Sequence, residues 1–151
     1  METRIYAALA LGRLRDPASV PALLNVFAKD ERDVRKAVAF AFGEIGDRRA
    51  LPALATALED QTADIRYNAA IAMARLGDSR SIGVVREMLD RSRLDRVEGM
   101  RPDQKDETML AAISALMKIA PEEAPAILTP LSQRDPSLHV RAAAKEALSA
   151  R

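Results

Sequence analysis

The sequence contains no cysteine, no tryptophan and only one histidine, His139. Disulfides, thiol chemistry and zinc sites built from several cysteine and histidine ligands are therefore excluded. Aromatic residues make up only 3% of the chain, and the formal net charge is +1. Such a chain has few rings to stack on bases and no strong field to attract phosphates. We expect no nucleic-acid partner, no metal and no cofactor.

Long apolar runs are also missing. No stretch approaches the roughly 18–20 apolar residues that span a bilayer, so we expect no membrane partner. Hydrophobic residues account for 48% and charged residues for 30% of the chain, a balance typical of globular proteins. A cytoplasmic protein with a single domain over residues 1–151 is the expectation.

The sequence repeats a pattern of about 31 residues. An arginine, a run of small and apolar residues and a closing aspartate recur in residues 3–16, 33–47 and 64–78. The arginines and aspartates at equivalent places are Arg4, Arg35, Arg66, Asp16, Asp47 and Asp78. A fixed period of this length is typical of a solenoid, in which stacked units supply the core together.

Each repeat has the pattern of two helices. The first begins at an aspartate followed by proline or by a polar turn, and the second is rich in alanine and ends at a glycine such as Gly46 or Gly77. The predicted helices are 3–14, 17–28, 34–45, 50–58, 65–76, 81–89, 109–119, 122–131 and 137–150. The predicted repeats are the half-repeat 3–15 and the units 16–46, 47–77, 78–120 and 121–151. The opening half-repeat predicts that the chain is a fragment of a longer array.

Residues 91–107 interrupt the third full repeat. They contain five basic and five acidic side chains, one glycine and one proline, without a sustained helical stripe. The sequence predicts an inserted loop, which is either a solvated segment or a flap over a binding surface.

The stretch DVRKAVAFAFGEIGDRRALPALATALED resembles a HEAT repeat, and the period with V-R-x-A-A and L-G-D elements is similar to the short HEAT-like repeats of the phycobilin (PBS) lyase type. The resemblance implies an all-α, right-handed α-solenoid (superhelix) of HEAT-like helical hairpins with about nine helices. It further implies a structural ladder between adjacent units, in which Asp47 and Asp78 bond to Arg35 and Arg66. Met109 occupies the arginine place beside the insertion, so the ladder is expected to break there.

In HEAT-like arrays the second helices line the concave face. Large apolar residues recur there at 31-residue intervals, at Leu9, Phe40 and Ile71. Exposed apolar strips usually mark contact surfaces. The predicted binding face comprises Ile5, Leu9, Lys36, Phe40, Tyr67, Ile71, Arg75, Leu110, Ile113 and Lys118. The other interpretation is that short repeats curl tightly and bury these residues as ordinary core.

No catalytic residues can be assigned. His139 has no second ligand nearby, and the adjacent carboxylates of Glu122 and Glu123 point to different helix faces. The leading hypothesis is a non-catalytic scaffold for protein–protein interaction that binds a peptide or helix on its concave face, not an enzyme. The alternatives are a lyase-like or regulatory subunit that handles a small ligand or chromophore, and a structural segment of a longer repeat protein. Self-association through the uncapped N-terminal helix is a further expectation.

Overall fold

Aspartates open the first helix of successive repeats by capping a turn of 3₁₀ helix. The Asp16 carboxylate accepts a hydrogen bond from the backbone N–H of Ala18 at 2.9 Å, and Asp47 accepts one from Arg49 at 2.8 Å. A side-chain acceptor at this place satisfies an N–H group that the helix itself leaves unpaired. The four 3₁₀ turns are Pro17–Ser19, Arg48–Ala50, Ser79–Ser81 and Pro121–Glu123. The predicted cap at Asp16 and Pro17 is confirmed.

The computed structural model describes residues 1–150, and this part of the chain is α-helical without any strand. The α-helices are α1 Glu2–Leu14, α2 Val20–Lys29, α3 Arg32–Ile45, α4 Leu51–Ala57, α5 Ala63–Arg75, α6 Ile82–Met88, α7 Arg91–Leu94, α8 Pro102–Ile119, α9 Ala124–Arg134 and α10 Leu138–Ser149. Nine of them correspond to the nine predicted helices. The all-α solenoid class is confirmed.

The predicted loop over 91–107 is wrong at both of its ends. Helix α7 begins directly after Asp90, whose carboxylate accepts from the Ser92 N–H at 3.0 Å. Helix α8 begins at Pro102 rather than near residue 109, and the Gln104 side chain accepts from the backbone N–H of Arg101 at 3.0 Å. These caps stabilise helix ends whose residues show no apolar stripe, which explains the error.

The chain forms two compact units, Met1–Ser81 and Ile82–Arg151. In the first unit α3 packs between α1 and α5, with α2 and α4 against this row. In the second unit α8 packs against α6, α9 and α10. The largest fully buried side chains of the two units include Phe42, Leu54, Ile65, Met73, Met88, Leu94, Met109, Leu116 and Leu128. Whether the repeats form a single domain stays a prediction.

Glycines inside two helices allow the row of second helices in the first unit to pack closely. A Cβ atom at Gly12 of α1 would lie 2.9 Å from the Cα of Ala41, and one at Gly43 of α3 would lie 3.1 Å from the Cα of Ala72. The first contact is shorter than Cβ atoms tolerate, so glycine is required at Gly12, and the second is tight enough that a Cβ atom at Gly43 would push its neighbour by a few tenths of an ångström. The same crossing therefore recurs between α1 and α3 and between α3 and α5.

Among residues 1–150, no helix combines the length and the apolar character that crossing a bilayer requires.

Candidate functional site

Arginines of the second helices do form a ladder between adjacent repeats, but not with the predicted aspartates. Arg35 of α3 pairs with Asp60 at 2.9 Å, and Arg4 of α1 pairs with Asp30 at 2.6 Å. Both aspartates lie just before the next second helix. The arginine ladder within the first unit is thus built on the turn between the two helices of the following repeat.

The expected bonds from Asp47 and Asp78 to Arg35 and Arg66 are replaced by short-range pairs. The Asp47 carboxylate is held by Arg49 at 2.6 Å, and Asp78 by Arg80 at 2.6 Å. Hydrogen bonding from the Arg49 side chain lowers the pKa of the Asp47 carboxyl, and Arg80 does the same for Asp78. The cap position directs each carboxylate along its own 3₁₀ turn, which takes it away from the second helix.

Arg66 instead fastens the turn that precedes its own helix. Its Nη1 donates to the carbonyl oxygens of Asp60 at 2.9 Å and Gln61 at 3.1 Å. Arg141 of α10 makes the equivalent bond to the carbonyl of Asp135 at 2.6 Å. The valine/isoleucine-arginine pair of the repeat is therefore structural in both units.

The predicted break at Met109 is bridged by an arginine from the insertion. Met109 is fully buried, and Arg91 of α7 donates to both oxygens of Asp135, at 2.7 and 2.9 Å. Asp135 precedes Val140 by the same five residues that separate Asp60 from Ile65, so Arg91 takes over the role of the missing ladder arginine. Arg91 also binds Asp106 at 2.8 Å.

The ten residues predicted for the inner face differ widely in exposure. Phe40 is 37% exposed, and Arg75 and Lys118 are exposed as well. Tyr67 and Ile113, however, are only 3% and 4% exposed. The remaining members are half-buried: Ile5, Leu9, Lys36, Ile71 and Leu110. Expected exposure is wrong at Tyr67 and Ile113, because this edge of the helices borders the core and a large apolar side chain there folds inward.

Among the predicted binding-face residues of the first unit, Phe40 is the exposed aromatic side chain. The guanidinium of Arg75 sits 5.5 Å from the centre of its ring, and Arg75 also pairs with Glu44. Lys36 pairs with Asp64 at 3.4 Å. We call the accessible residues of this face in the first unit the inner row. It consists of the exposed ring of Phe40, the half-buried side chains of Leu9 and Ile71, and the ion-paired Lys36 and Arg75.

A groove of about 750 Å³ in the second unit is the second candidate site. Residues of α6, α7 and α9, of the link between α6 and α7, and of the 3₁₀ turn Pro121–Glu123 line it. Its apolar residues are Leu89, Ala126, Ile127 and Leu131, and its polar and charged residues are Arg86, Asp90, Arg91, Ser92, Glu122 and Glu123. The volume lies within the range of pockets that bind small molecules.

Two arginines of this groove bind carboxylates in the same manner. Arg86 uses Nε and Nη2 on Glu123, at 2.5 to 2.9 Å. Arg91 uses the same two nitrogens on Asp135 and Asp106. Within residues 1–150, neither Nη1 group has a hydrogen-bond acceptor. Each arginine therefore has one guanidinium nitrogen that no acceptor among these residues occupies.

The sequence did not reveal this groove. Leu89, Ile127 and Leu131 carry the same apolar spacing as core positions, and only their placement beside the insertion leaves a space between them. Arg86 and Glu123 are 37 residues apart, so no local motif indicates their pairing.

His139 lies exposed on α10, and residues 1–150 hold no cluster of three metal-ligating side chains.

Comparison with known proteins identifies the repeats. The sequence profile of the HEAT repeats matches residues 20–100, and that of the PBS lyase HEAT-like repeat matches residues 3–29. No curated protein sequence matches the chain. A solved structure of the complex of CpcE and CpcF of phycocyanin lyase from Nostoc sp. PCC7120 is similar, with a TM-score of 0.70 and 28% identity. The match covers 98% of this chain and 59% of that one. Since the HEAT profile covers more than half of the sequence, this protein belongs to the HEAT-repeat family.

Proposed function

We propose that this protein is a lyase-type repeat subunit that binds an elongated, chromophore-like small molecule in the groove of its second unit. The similarity of nearly the whole chain to a structure of phycocyanin lyase carries this proposal. The PBS lyase HEAT-like repeat at residues 3–29 supports it independently. Together, the two similarities favour the ligand-handling hypothesis over a purely non-catalytic scaffold.

The groove has the chemistry that such a ligand needs. Leu89, Ile127 and Leu131 offer an apolar surface for a conjugated ring system. The open Nη1 groups of Arg86 and Arg91 can each donate to a ligand carboxylate. A linear tetrapyrrole with two propionate groups has both features.

Charge adds little to this binding. Glu123 and Asp135 already neutralise the two arginines, and Asp90 and Glu122 add negative charge around the groove. Affinity must come from apolar contact and directed hydrogen bonds rather than from a long-range field. Because the chain has no cysteine, it cannot form a cysteinyl thioether with the ligand, and the binding proposed here is non-covalent.

Titration of the protein with biliverdin, a linear tetrapyrrole, tests the proposal. Binding should change the visible absorbance of the pigment and induce circular dichroism in its bands. Ile127→Glu places a charge among the apolar groove residues and should weaken binding by at least about 10-fold. Leu138→Glu is the matched control, because Leu138 lies 68% exposed on α10, outside the groove. No binding, or equal weakening by both variants, would contradict the proposal.

The inner row of the first unit supports a second candidate function, the binding of an amphipathic peptide. The exposed Phe40 ring between half-buried Leu9 and Ile71 is the observation that favours it. Peptides that the protein selects from a displayed library of amphipathic helices should be lost by a folded Phe40→Glu, Ile71→Glu variant. The double control Asn25→Glu, Thr56→Glu alters exposed positions on α2 and α4 and should keep them. Equal retention by both variants argues against this surface.

A further inference from the structure

Helix α9, which lines the groove of the second unit, contains a proline in its interior. The helix continues past Pro130 to Arg134, and the backbone N–H of Asp135 donates to the Leu131 carbonyl at 3.2 Å. Proline has no backbone N–H, so Pro130 cannot donate to the residue four positions earlier. The carbonyl oxygen of Ala126 therefore lacks the donor that an uninterrupted α-helix supplies.

This carbonyl lies on the side of α9 that faces the groove. In an α-helix a carbonyl points towards the residue four positions later, which lies about 40° further around the helix axis. Ile127 lies about 100° around the axis from Ala126 in the same direction. Both Ala126 and Ile127 line the groove. The Ala126 carbonyl is thus directed into the sector between two lining residues.

The polar groups around this oxygen are mostly acceptors. The carboxylates of Asp90, Glu122 and Glu123 line the groove and accept hydrogen bonds. Arg86 and Arg91 each direct two nitrogens to carboxylates of the protein. The groove therefore favours an occupant that brings hydrogen-bond donors of its own.

A ligand in the groove competes with solvent for the Ala126 carbonyl. Water can donate to this oxygen when no ligand is bound. A ligand that displaces the water loses affinity unless one of its own groups replaces the hydrogen bond. An oxygen left unpaired beneath an apolar ring costs more than a typical hydrogen bond contributes. Affinity therefore depends on which ligand group lies over Ala126.

We propose that the Ala126 carbonyl accepts a hydrogen bond from a ring N–H of the ligand, so that Pro130 makes the groove selective for conjugated ligands with N–H groups. This inference rests on the ligand-binding function proposed above, and it names the chemical feature by which the groove recognises its ligand. A linear tetrapyrrole carries N–H groups on its rings, whereas a polyene dicarboxylic acid of similar length has none.

Replacement Pro130→Ala supplies the missing N–H and gives Ala126 its helical donor. This variant should bind biliverdin about fivefold more weakly, the effect of one neutral hydrogen bond. Pro125→Ala is the matched control, because Pro125 is exposed in the first turn of the same helix, where N–H groups have no partner within the helix. The control should bind biliverdin as the natural protein does, and circular dichroism should show that both variants keep their helix content.

NMR observes the carbonyl itself. In an HNCO spectrum of the isotope-labelled protein, the carbonyl carbon of Ala126 is detected through the amide of Ile127. A hydrogen bond to the oxygen moves this signal downfield, so saturating biliverdin should shift it downfield in the natural protein and in Pro125→Ala. The Pro130→Ala signal should change little, because its oxygen is already bonded. A change in groove shape alone would not produce this difference.

The outcomes separate this inference from the function on which it rests. Equal affinity of the natural protein and Pro130→Ala, or no downfield shift of Ala126 in the natural protein with biliverdin bound, would overturn the role of the carbonyl alone. Failure of the natural protein to bind biliverdin would overturn it together with the proposed function.

Discussion

Arg91 joins three segments of the second unit through a single guanidinium group. Its bonds to Asp135 and Asp106 cross 44 and 15 residues of sequence, and the Asp135 side chain is only 1% exposed. A buried carboxylate without its cation is strongly destabilising. These bonds raise the pKa of Arg91 further, so its charge is permanent at any working pH.

Replacement Arg91→Met should lower the free energy of unfolding by about 3 kcal/mol, because Asp135 loses its only cationic partner among the described residues. Urea unfolding followed by circular dichroism measures the loss. Arg80→Met is the control: it also removes an arginine from an aspartate, but Arg80 is 61% exposed and should matter much less. Equal losses in the two variants would show that burial does not decide the role of Arg91.

The Asp106 carboxyl predicts a dependence of stability on pH. Burial raises its pKa, but hydrogen bonds from Ser137 and Arg91 lower it more, so the folded value lies below the ordinary 3.8. A carboxyl with a depressed pKa stabilises the fold fully above the unfolded value, and the contribution disappears as the pH falls through the folded value. Asp106→Asn should therefore cost about 1 kcal/mol at pH 7 and progressively less below pH 3.8. Urea midpoints at pH 7 and near pH 2.5 measure this; a pH-independent cost would contradict it.

At the scale of helices, two helical glycines, one at a helix crossing and one exposed, should respond oppositely to substitution by alanine. Gly12→Ala places a Cβ atom 2.9 Å from the Cα of Ala41, a backbone atom that cannot move away. The clash outweighs the better helix propensity of alanine, and we expect a loss of about 1–2 kcal/mol. Gly83→Ala in α6 meets nothing within 4 Å and should gain about 0.5–1 kcal/mol. Melting temperatures of both variants check the pair, and a gain at Gly12 would refute the close crossing.

Much of the helix pattern followed from the sequence because each repeat carries its own local signals. Aspartate caps such as Asp16 and Asp47, and terminal glycines such as Gly46 with its φ of 77°, are set by neighbours a few residues away. The sequence predicts a loop over all of 91–107, but only residues 95–101 lack a helix, since caps stabilise α7 and the start of α8 without any apolar periodicity. The predicted ladder partners are wrong for a related reason. Arg35 pairs with Asp60 because folding brings the two side chains together, whereas Asp47 pairs with Arg49 of its own 3₁₀ turn.

At the scale of the whole molecule, family and fold followed from the 31-residue period, whereas the candidate sites did not. The period places Leu9, Phe40 and Ile71 at equivalent positions of successive repeats. It does not give the exposed fraction of each side chain, which depends on how the neighbouring helices pack. The groove of the second unit depends on α7, an element outside the repeat pattern, and on pairs such as Arg86 with Glu123. Contacts over such separations arise only when the helices have packed.

Methyl-resolved NMR with biliverdin tests the proposed ligand site most directly, because both candidate surfaces contain leucine and isoleucine. If the groove binds the pigment, the methyl signals of Leu89, Ile127 and Leu131 will shift in a saturable manner, while those of Leu9 and Ile71 stay in place. Shifts confined to Leu9 and Ile71, or no saturable shift in any of the five, would contradict the lyase-type function proposed for the groove.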